Sequence, residues 1–139
     1  MMRLKLDQDS MELSSFLERL TGARVKDCFK DAAGETLCFI VATGDLGKAI
    51  GKGGSQIKKV QQELGKRIKV IEYQENIIDF VKNIIYPLTV AEITEEGSFL
   101  VIKDPSTRTK SLLIGRDGRN LLLINRAVKR FFNKEVKVE

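Results

Sequence analysis

Apolar residues along this chain follow two rhythms, and the succession of rhythms occurs twice. Leu13, Phe16, Leu17 and Leu20 recur at three- and four-residue spacing, the period of one helix face. Asp9 followed by Glu12 reads as a capping box that opens this helix, and Gly22 is placed to end it. Val25–Phe29 and Thr36–Ala42 are short runs rich in β-branched and aromatic residues, which predicts two strands around a turn at Gly34. A short helix from about Asp45 to Ile50 then runs into Gly51-Lys52-Gly53-Gly54. Ile57, Val60, Gln61 and Leu64 mark a face of the next helix, and Ile68-Lys69-Val70-Ile71 has strand composition.

The second half repeats that order. Ile77, Phe80, Val81 and Ile84 predict a helix closed before Pro87. Val90–Thr94 and Phe99–Lys103 read as strands around Glu95-Glu96-Gly97. Asp104-Pro105 reads as a cap with proline in the first helical turn. Leu121, Ile124, Val128, Phe131 and Phe132 follow at helical spacing, and Val136-Lys137-Val138 closes as a strand. The predicted fold is α+β, with a three-stranded sheet covered by three helices in each half, 1–73 and 74–139.

The centre of each half is a pattern of apolar-Gly-x-x-Gly-x-x-apolar with a base at the first x. It reads Ile50-Gly51-Lys52-Gly53-Gly54-Ser55-Gln56-Ile57 and Ile114-Gly115-Arg116-Asp117-Gly118-Arg119-Asn120-Leu121, the first glycines lying 64 residues apart. A period of that length is a small domain copied in tandem. The repeats also match as Lys66-Arg67-Ile68-Lys69-Val70 and Lys134-Glu135-Val136-Lys137-Val138, now 68 residues apart, so the second copy's last helix is expected to be about one turn longer. Only Tyr73 to Asn76 separates the copies, too little for a flexible linker. The halves are expected to act as one cooperative unit.

Charge sharpens the picture. The net charge is +5, but residues 46–69 hold seven cations against Glu63 alone, and 108–137 hold nine against Asp117 and Glu135. The remainder is acidic. Cations gathered around both glycine motifs are the footprint of a polyanionic partner; a solvated basic face is the plainer alternative. Two glycines allow a sharp turn and let phosphate approach without a Cβ in the way. The helix behind such a loop offers N–H groups and partial positive charge. Lys52 and Arg116 sit at the loop tips, with Lys48, Lys58 and Lys59 extending the field in the first copy and Lys110 and Arg119 in the second. Loops whose glycines only permit tight turns are the competing explanation, weakened by the repeat.

Other chemistries fit poorly. A Walker A loop needs its first glycine where Leu46 stands, and a dinucleotide fingerprint needs a glycine at Gln56. With no histidine and only Cys28 and Cys38, neither a zinc site within the chain nor a Ser-His or Cys-His pair can be assembled. No enzyme activity and no cofactor are expected. No run of about 18 apolar residues exists and the N-terminus lacks a signal-peptide pattern, so a cytoplasmic monomer that avoids membranes is expected. Cys28 and Cys38 stand opposite one another if the hairpin register pairs Val25 with Val41, leaving a disulfide or two reduced thiols open. Leu121-Leu122-Leu123-Ile124 is apolar on more than one helix face, which suits burial between the halves or an external partner.

The order helix-strand-strand-helix-GxxG-helix-strand resembles the KH domain of prokaryotic (type II) topology, a single-stranded nucleic-acid module. The pair of motifs, Gly44-Asp45-Leu46-Gly47-Lys48-Ala49-Ile50-Gly51-Lys52-Gly53-Gly54 and Ile114-Gly115-Arg116-Asp117-Gly118, closely resembles archaeal NusA-like transcription factors over essentially the whole chain. Residue by residue, the resemblance implies that Gly51, Lys52, Gly53 and Gly54 contact an RNA backbone, as do Gly115, Arg116 and Gly118. Asp117 departs from a favourable loop and is expected to cap the following helix. Ile50, Ile57, Ile114 and Leu121 read as core residues first and groove floor second. The resemblance implies an RNA-binding factor that holds nascent single-stranded RNA and modulates termination or antitermination, with RNA polymerase a candidate partner. Bacterial NusA carries an N-terminal polymerase-binding domain and an OB-type barrel for which this chain has no room. A ribosome- or RNA-processing-associated adaptor with the same RNA face is the alternative.

Overall fold

The computed structural model of the protein describes residues 10–139, so Asp9 of the expected capping box lies outside the described residues. The chain divides into two compact units between Gln74 and Glu75. In the first, α1 (Ser10–Thr21) is followed by β1 (Val25–Lys30), β2 (Thr36–Val41), α2 (Leu46–Ile50), α3 (Ser55–Leu64) and β3 (Arg67–Glu72). The second runs α4 (Ile77–Ile85), β4 (Glu92–Glu96), β5 (Phe99–Lys103), α5 (Thr107–Ile114), α6 (Arg119–Phe131) and β6 (Glu135–Val138). A one-turn 3-10 helix, Lys52–Gly54 or Arg116–Gly118, sits between the second and third helix of each unit.

Each unit holds one three-stranded sheet, β1-β2-β3 or β4-β5-β6. The first two strands form an antiparallel hairpin and the third lies parallel to the middle strand. A parallel neighbour needs a long crossover, and the two helices flanking the glycine loop supply it. Because side chains alternate along β2, Leu37, Phe39 and Val41 face α1, α2 and α3, where they meet Leu13, Leu17, Ala49 and Val60 in one buried cluster. Phe39 is fully buried, so Phe39→Ala costs about 3–5 kcal/mol. In the second unit Leu100, Ile102, Leu113, Ile124, Val128 and Val136 are buried. There α4 packs on α6 through Phe80, whose ring lies 5.8 Å from those of both Phe131 and Phe132.

Several expectations are corrected. A β-bulge between Val25 and Asp27 shifts the hairpin register, so Cys28 pairs with Phe39 and Cys38 with Phe29. One extra residue moves every later side chain to the other face. Cys28 joins the helix-side cluster and Cys38 points the opposite way, so the two do not stand opposite one another in the hairpin. Pro105 stands before the helix rather than in its first turn. Ser106 is the cap, its hydroxyl accepting from the Thr109 N–H at 3.2 Å. The β4 strand begins at Glu92, two residues later than its composition suggests. The Asn76 cap of α4, accepting from the Ile78 and Asp79 N–H groups at 2.9 and 3.1 Å, was not foreseen.

Equivalent side chains brace each unit internally in the same way. The Lys66 ammonium donates to the Gly34 carbonyl at 2.6 Å, and Lys134 donates to the Gly97 carbonyl, closing each hairpin turn against the loop before the last strand. Asn125 brackets β6, donating to the Val136 carbonyl at 3.1 Å and accepting from its N–H at 2.8 Å. Gln61 accepts from the Ile68 N–H at 3.4 Å, a weaker version of the same clamp. The longer last helix is present: α6 has 13 residues and α3 has 10.

Candidate nucleic-acid interface

The two glycine loops follow the same backbone path. Gly51 has φ 78° and ψ 170°, and Gly115 has φ 75° and ψ 173°, a region open essentially to glycine alone. Space reinforces the choice. A Cβ on Gly51 would lie 2.8 Å from the Gln56 backbone nitrogen, and one on Gly115 2.9 Å from that of Asn120. The third loop position is left-handed in both copies, Gly53 at φ 63° and Asp117 at φ 56°, with nothing near a Cβ on Gly53. Aspartate is among the few side chains that tolerate this conformation. Gly54 and Gly118 close the loops at φ 77° and 73°.

The helices that follow start without a side-chain cap, and the first N–H of each, that of Ser55 or Arg119, donates back to the Lys52 or Arg116 carbonyl. Gly54 and Gly118 are the N-cap residues of α3 and α6, and neither helix has a side-chain cap, whereas α4 and α5 are capped by Asn76 and Ser106. Asp117 does not cap α6 as expected: its carboxylate is exposed and lies 3.9 Å from the Arg119 guanidinium. The first-turn N–H groups of α3 and α6 are therefore not occupied by a side chain from the N-cap position, and they carry the positive end of the helix dipole.

Lys52 and Arg116 are exposed at the loop tips, and Lys58 and Lys59 are exposed on α3. Lys48 is mostly exposed, its ammonium 3.8 Å from Asp45, while Lys110 is half-buried and Arg119 exposed. Other cations of the two basic stretches have structural posts. Besides Lys66 and Lys134, Lys137 lies 4.3 Å above the Phe99 ring, and Lys69 is half-buried in β3 opposite Cys38. Burial pushes the Lys69 ammonium below its ordinary pKa. Leu122, expected under cover, is 58% exposed.

Four side chains support the loops without a signal in hydropathy or in the glycine spacing. The Gln56 amide donates to the Leu20 carbonyl at 3.1 Å, anchoring the start of α3 to α1. Asn120, at the same repeat position, donates instead to the Leu113 carbonyl at 2.9 Å and holds the two helices of its own loop together. Asp45 is buried and accepts from the Arg24 N–H at 2.9 Å and the Arg24 side chain at 3.1 Å. Those hydrogen bonds, the backbone one foremost, hold its carboxyl below the ordinary carboxylate pKa. Asp104 makes the matching bond in the second unit, accepting from the Ala91 N–H at 3.0 Å. An amide two residues after each motif, and an aspartate before each loop helix, were the available signals.

Comparison with known proteins gives a consistent picture. A family model described as KH domain matches residues 13–94. A probable transcription termination protein NusA of Methanococcus vannielii is 38% identical over 130 residues, covering 91% of this chain and 72% of the relative. The protein of the same name from Halococcus morrhuae is 31% identical and covers 95% of both chains. Among solved structures, that of APE1850 superposes with a TM-score of 0.75 at 29% identity, covering 98% of this chain and 100% of the other.

Proposed function

The chain belongs to the NusA-like family of KH-domain proteins, and from that membership we propose that it is a non-enzymatic, RNA-binding transcription termination factor. We read its two units as tandem KH domains of type II topology, 1–73 and 74–139, each presenting one glycine loop to single-stranded RNA. In each loop the turned backbone at Gly51–Gly54 or Gly115–Gly118 receives a phosphate, with the first turn of α3 or α6, which has no side-chain cap, behind it. Lys52 and Arg116 add a cation at the tip, and Lys48, Lys58, Lys59, Lys110 and Arg119 widen the field. Phosphate contacts of this kind fix a strand in place without reading its sequence.

The observation that carries the reading is the shared loop backbone. Two loops in separate units hold the same sequence of glycine-only and left-handed conformations, each ahead of a helix without a side-chain cap. Holding nascent RNA at these loops is the route by which the protein acts on termination or antitermination, as a monomer working beside RNA polymerase.

The test is RNA binding by the intact chain. A KH loop clamps about four nucleotides, so a strand of about twelve binds far more tightly per chain than one of about four. Binding weakens steeply as salt rises, through release of counterions. Equal affinity for the two lengths, or indifference to salt, contradicts a two-loop phosphate grip. Recovery of RNA polymerase subunits with the tagged protein from its own cell extract supports the transcription assignment, and recovery of ribosomal subunits alone contradicts it.

A further inference from the structure

Each three-stranded sheet ends in two outer strands, and an outer strand offers backbone N–H and C=O groups to any chain that can pair with it. The protein guards β1, β3 and β6 itself. In β1 the Val25 N–H donates to the Glu18 carboxylate at 2.9 Å, and the bulge at Val25–Asp27 distorts the edge that follows. Gln61 accepts from Ile68 in β3, and Asn125 takes both backbone groups of Val136 in β6. The remaining edge, β4, has no such guard among the described residues. Its two-residue turn at Gly97-Ser98 makes Glu96 and Phe99 a hydrogen-bonded pair, so by alternation Ile93 and Glu95 turn their N–H and C=O groups away from β5.

Charge decides what can fill that edge. The strand reads Glu92-Ile93-Thr94-Glu95-Glu96, with three carboxylates and no cation. Glu95 shares its sheet face with buried Leu100, while Glu92 and Glu96 take the other face, so both sides of the edge are acidic. A second copy laid against β4 would set carboxylate beside carboxylate, and RNA would bring phosphate, so both are repelled. Next to Glu95 lies a cleft of about 390 Å³ whose lining includes Glu75, Ile77, Phe132 and Lys134. The Lys134 ammonium is held by the Gly97 carbonyl and lies 3.6 Å from Glu95, whereas Glu75 ion-pairs with no described residue. Carboxylates beside an aromatic ring and an isoleucine suit a cation on an apolar stem.

We propose that β4 is a docking edge for an extended, basic segment of a partner protein. The segment adds to the sheet as a fourth strand through Ile93 and Glu95, and one of its arginine or lysine side chains enters the cleft beside Glu75 and Glu95. Main-chain hydrogen bonds supply the affinity, and the carboxylates select for cations. The inference goes beyond the RNA-binding reading and does not depend on it.

The test titrates the intact chain with a synthetic peptide of about ten residues that alternates arginine and valine, and follows amide exchange residue by residue. Bound peptide slows exchange at Ile93 and Glu95 about tenfold or more, and leaves Thr94, already paired with β5, as it was. The same peptide with every backbone nitrogen methylated keeps its charge and binds roughly tenfold more weakly. A peptide with glutamate in place of arginine does not bind at about 1 mM. Glu75→Gln/Glu95→Gln weakens the arginine peptide roughly tenfold and flattens its salt dependence, with an unchanged circular-dichroism melt. If that double variant melts early, Glu75→Gln alone, at an exposed position, weakens binding about threefold.

No slowing at Ile93 and Glu95 overturns the proposal, as does equal affinity for the methylated peptide. Protection that falls on β1, β3 or β6 instead overturns the choice of β4. Undiminished binding by the glutamine variants removes the cleft as the seat of the basic side chain and overturns the proposal as stated. A peptide-free dimer that itself protects Ile93 and Glu95 gives the edge to a second copy, and RNA that displaces the peptide gives it to a polyanion; either result overturns it. Because the titration uses no RNA, its failure leaves the RNA-binding reading standing, and a chain that binds no RNA leaves this edge to be judged by its own exchange data.

Discussion

The first and second glycine loops are the same object in backbone and different objects in chemistry. Gly51 and Gly115 differ by 3° in both φ and ψ, and Gly54 and Gly118 by 4° in φ and 5° in ψ. The side chains around them run from four lysines to a mixture of leucine, arginine and aspartate. What must stay fixed is set by sterics: the first glycine has no room for a Cβ and occupies a conformation other residues avoid. What varies points outward. Asp117 shows where the boundary falls, since a left-handed position with open space around it accepts aspartate in one copy and glycine in the other.

The largest effect that separates fixed from variable positions is expected at the first glycine. Gly51→Ala and Gly115→Ala should each lower the stability of its unit by about 3 kcal/mol, from backbone strain plus a collision with the next helix. Gly53→Ala should cost about 1 kcal/mol, since only the left-handed conformation opposes it. Amide exchange resolved by unit measures both, and equal losses at Gly51 and Gly53 contradict the steric account.

Next in size is the response to charge. Lys52→Asp/Gly53→Asp keeps the fold, because Asp117 already occupies the equivalent site, and should raise the RNA dissociation constant roughly a hundredfold. Arg116→Asp should raise it about tenfold or less, since that loop already carries a carboxylate and fewer cations. Fluorescence anisotropy with the longer strand decides the order. A larger loss at Arg116 reverses the assigned roles.

Smaller again is the clamp on the last strand. Asn125→Leu leaves the N–H and carbonyl of Val136 without partners and should cost about 2 kcal/mol. Gln61→Leu loses one long hydrogen bond and should cost less than about 1 kcal/mol. Denaturant melts of the two variants give the comparison.

The smallest effect is on acid stability. The folded-state pKa of Asp45 is depressed, so its contribution is complete above the unfolded carboxylate value of about 3.9 and disappears as pH falls through the lower folded value. Asp45→Asn should flatten that part of the melting curve against pH. Glu96 is also depressed, by the Thr94 hydroxyl and then Lys103, but it is about half exposed and Glu96→Gln should change the curve less. A steeper acid limb in Asp45→Asn contradicts the sign.

The elements were legible in the chain because they rest on local rules. Leucine spacing gave α1, the valine and isoleucine runs gave the middle strands, and Gly22 and Gly65 stand where left-handed helix ends need them. The repeat made the loops legible too. Contacts between elements were not. The bulge at Val25–Asp27 leaves no mark in hydropathy, yet it decides which face each cysteine takes. Lys66 and Lys134 read as part of a basic field, but their ammonium groups are spent on turn carbonyls. Gln56 and Asn120 show how a repeat hides divergence: the same amide position reaches the Leu20 carbonyl of α1 in one unit and the Leu113 carbonyl of α5 in the other.

The bulge also turns the two thiols into a natural probe. Cys28 is 4% exposed and Cys38 not at all, both lie in the first unit, and the second unit contains no cysteine. Seated on opposite faces of the sheet, they cannot be stapled to one another by an oxidant while the hairpin holds. A thiol-reactive dye added to the native protein must therefore wait for the first unit to open, and the second unit remains silent to it. The labelling rate is thus a clock that times the breathing of one half of the molecule without any engineered tag.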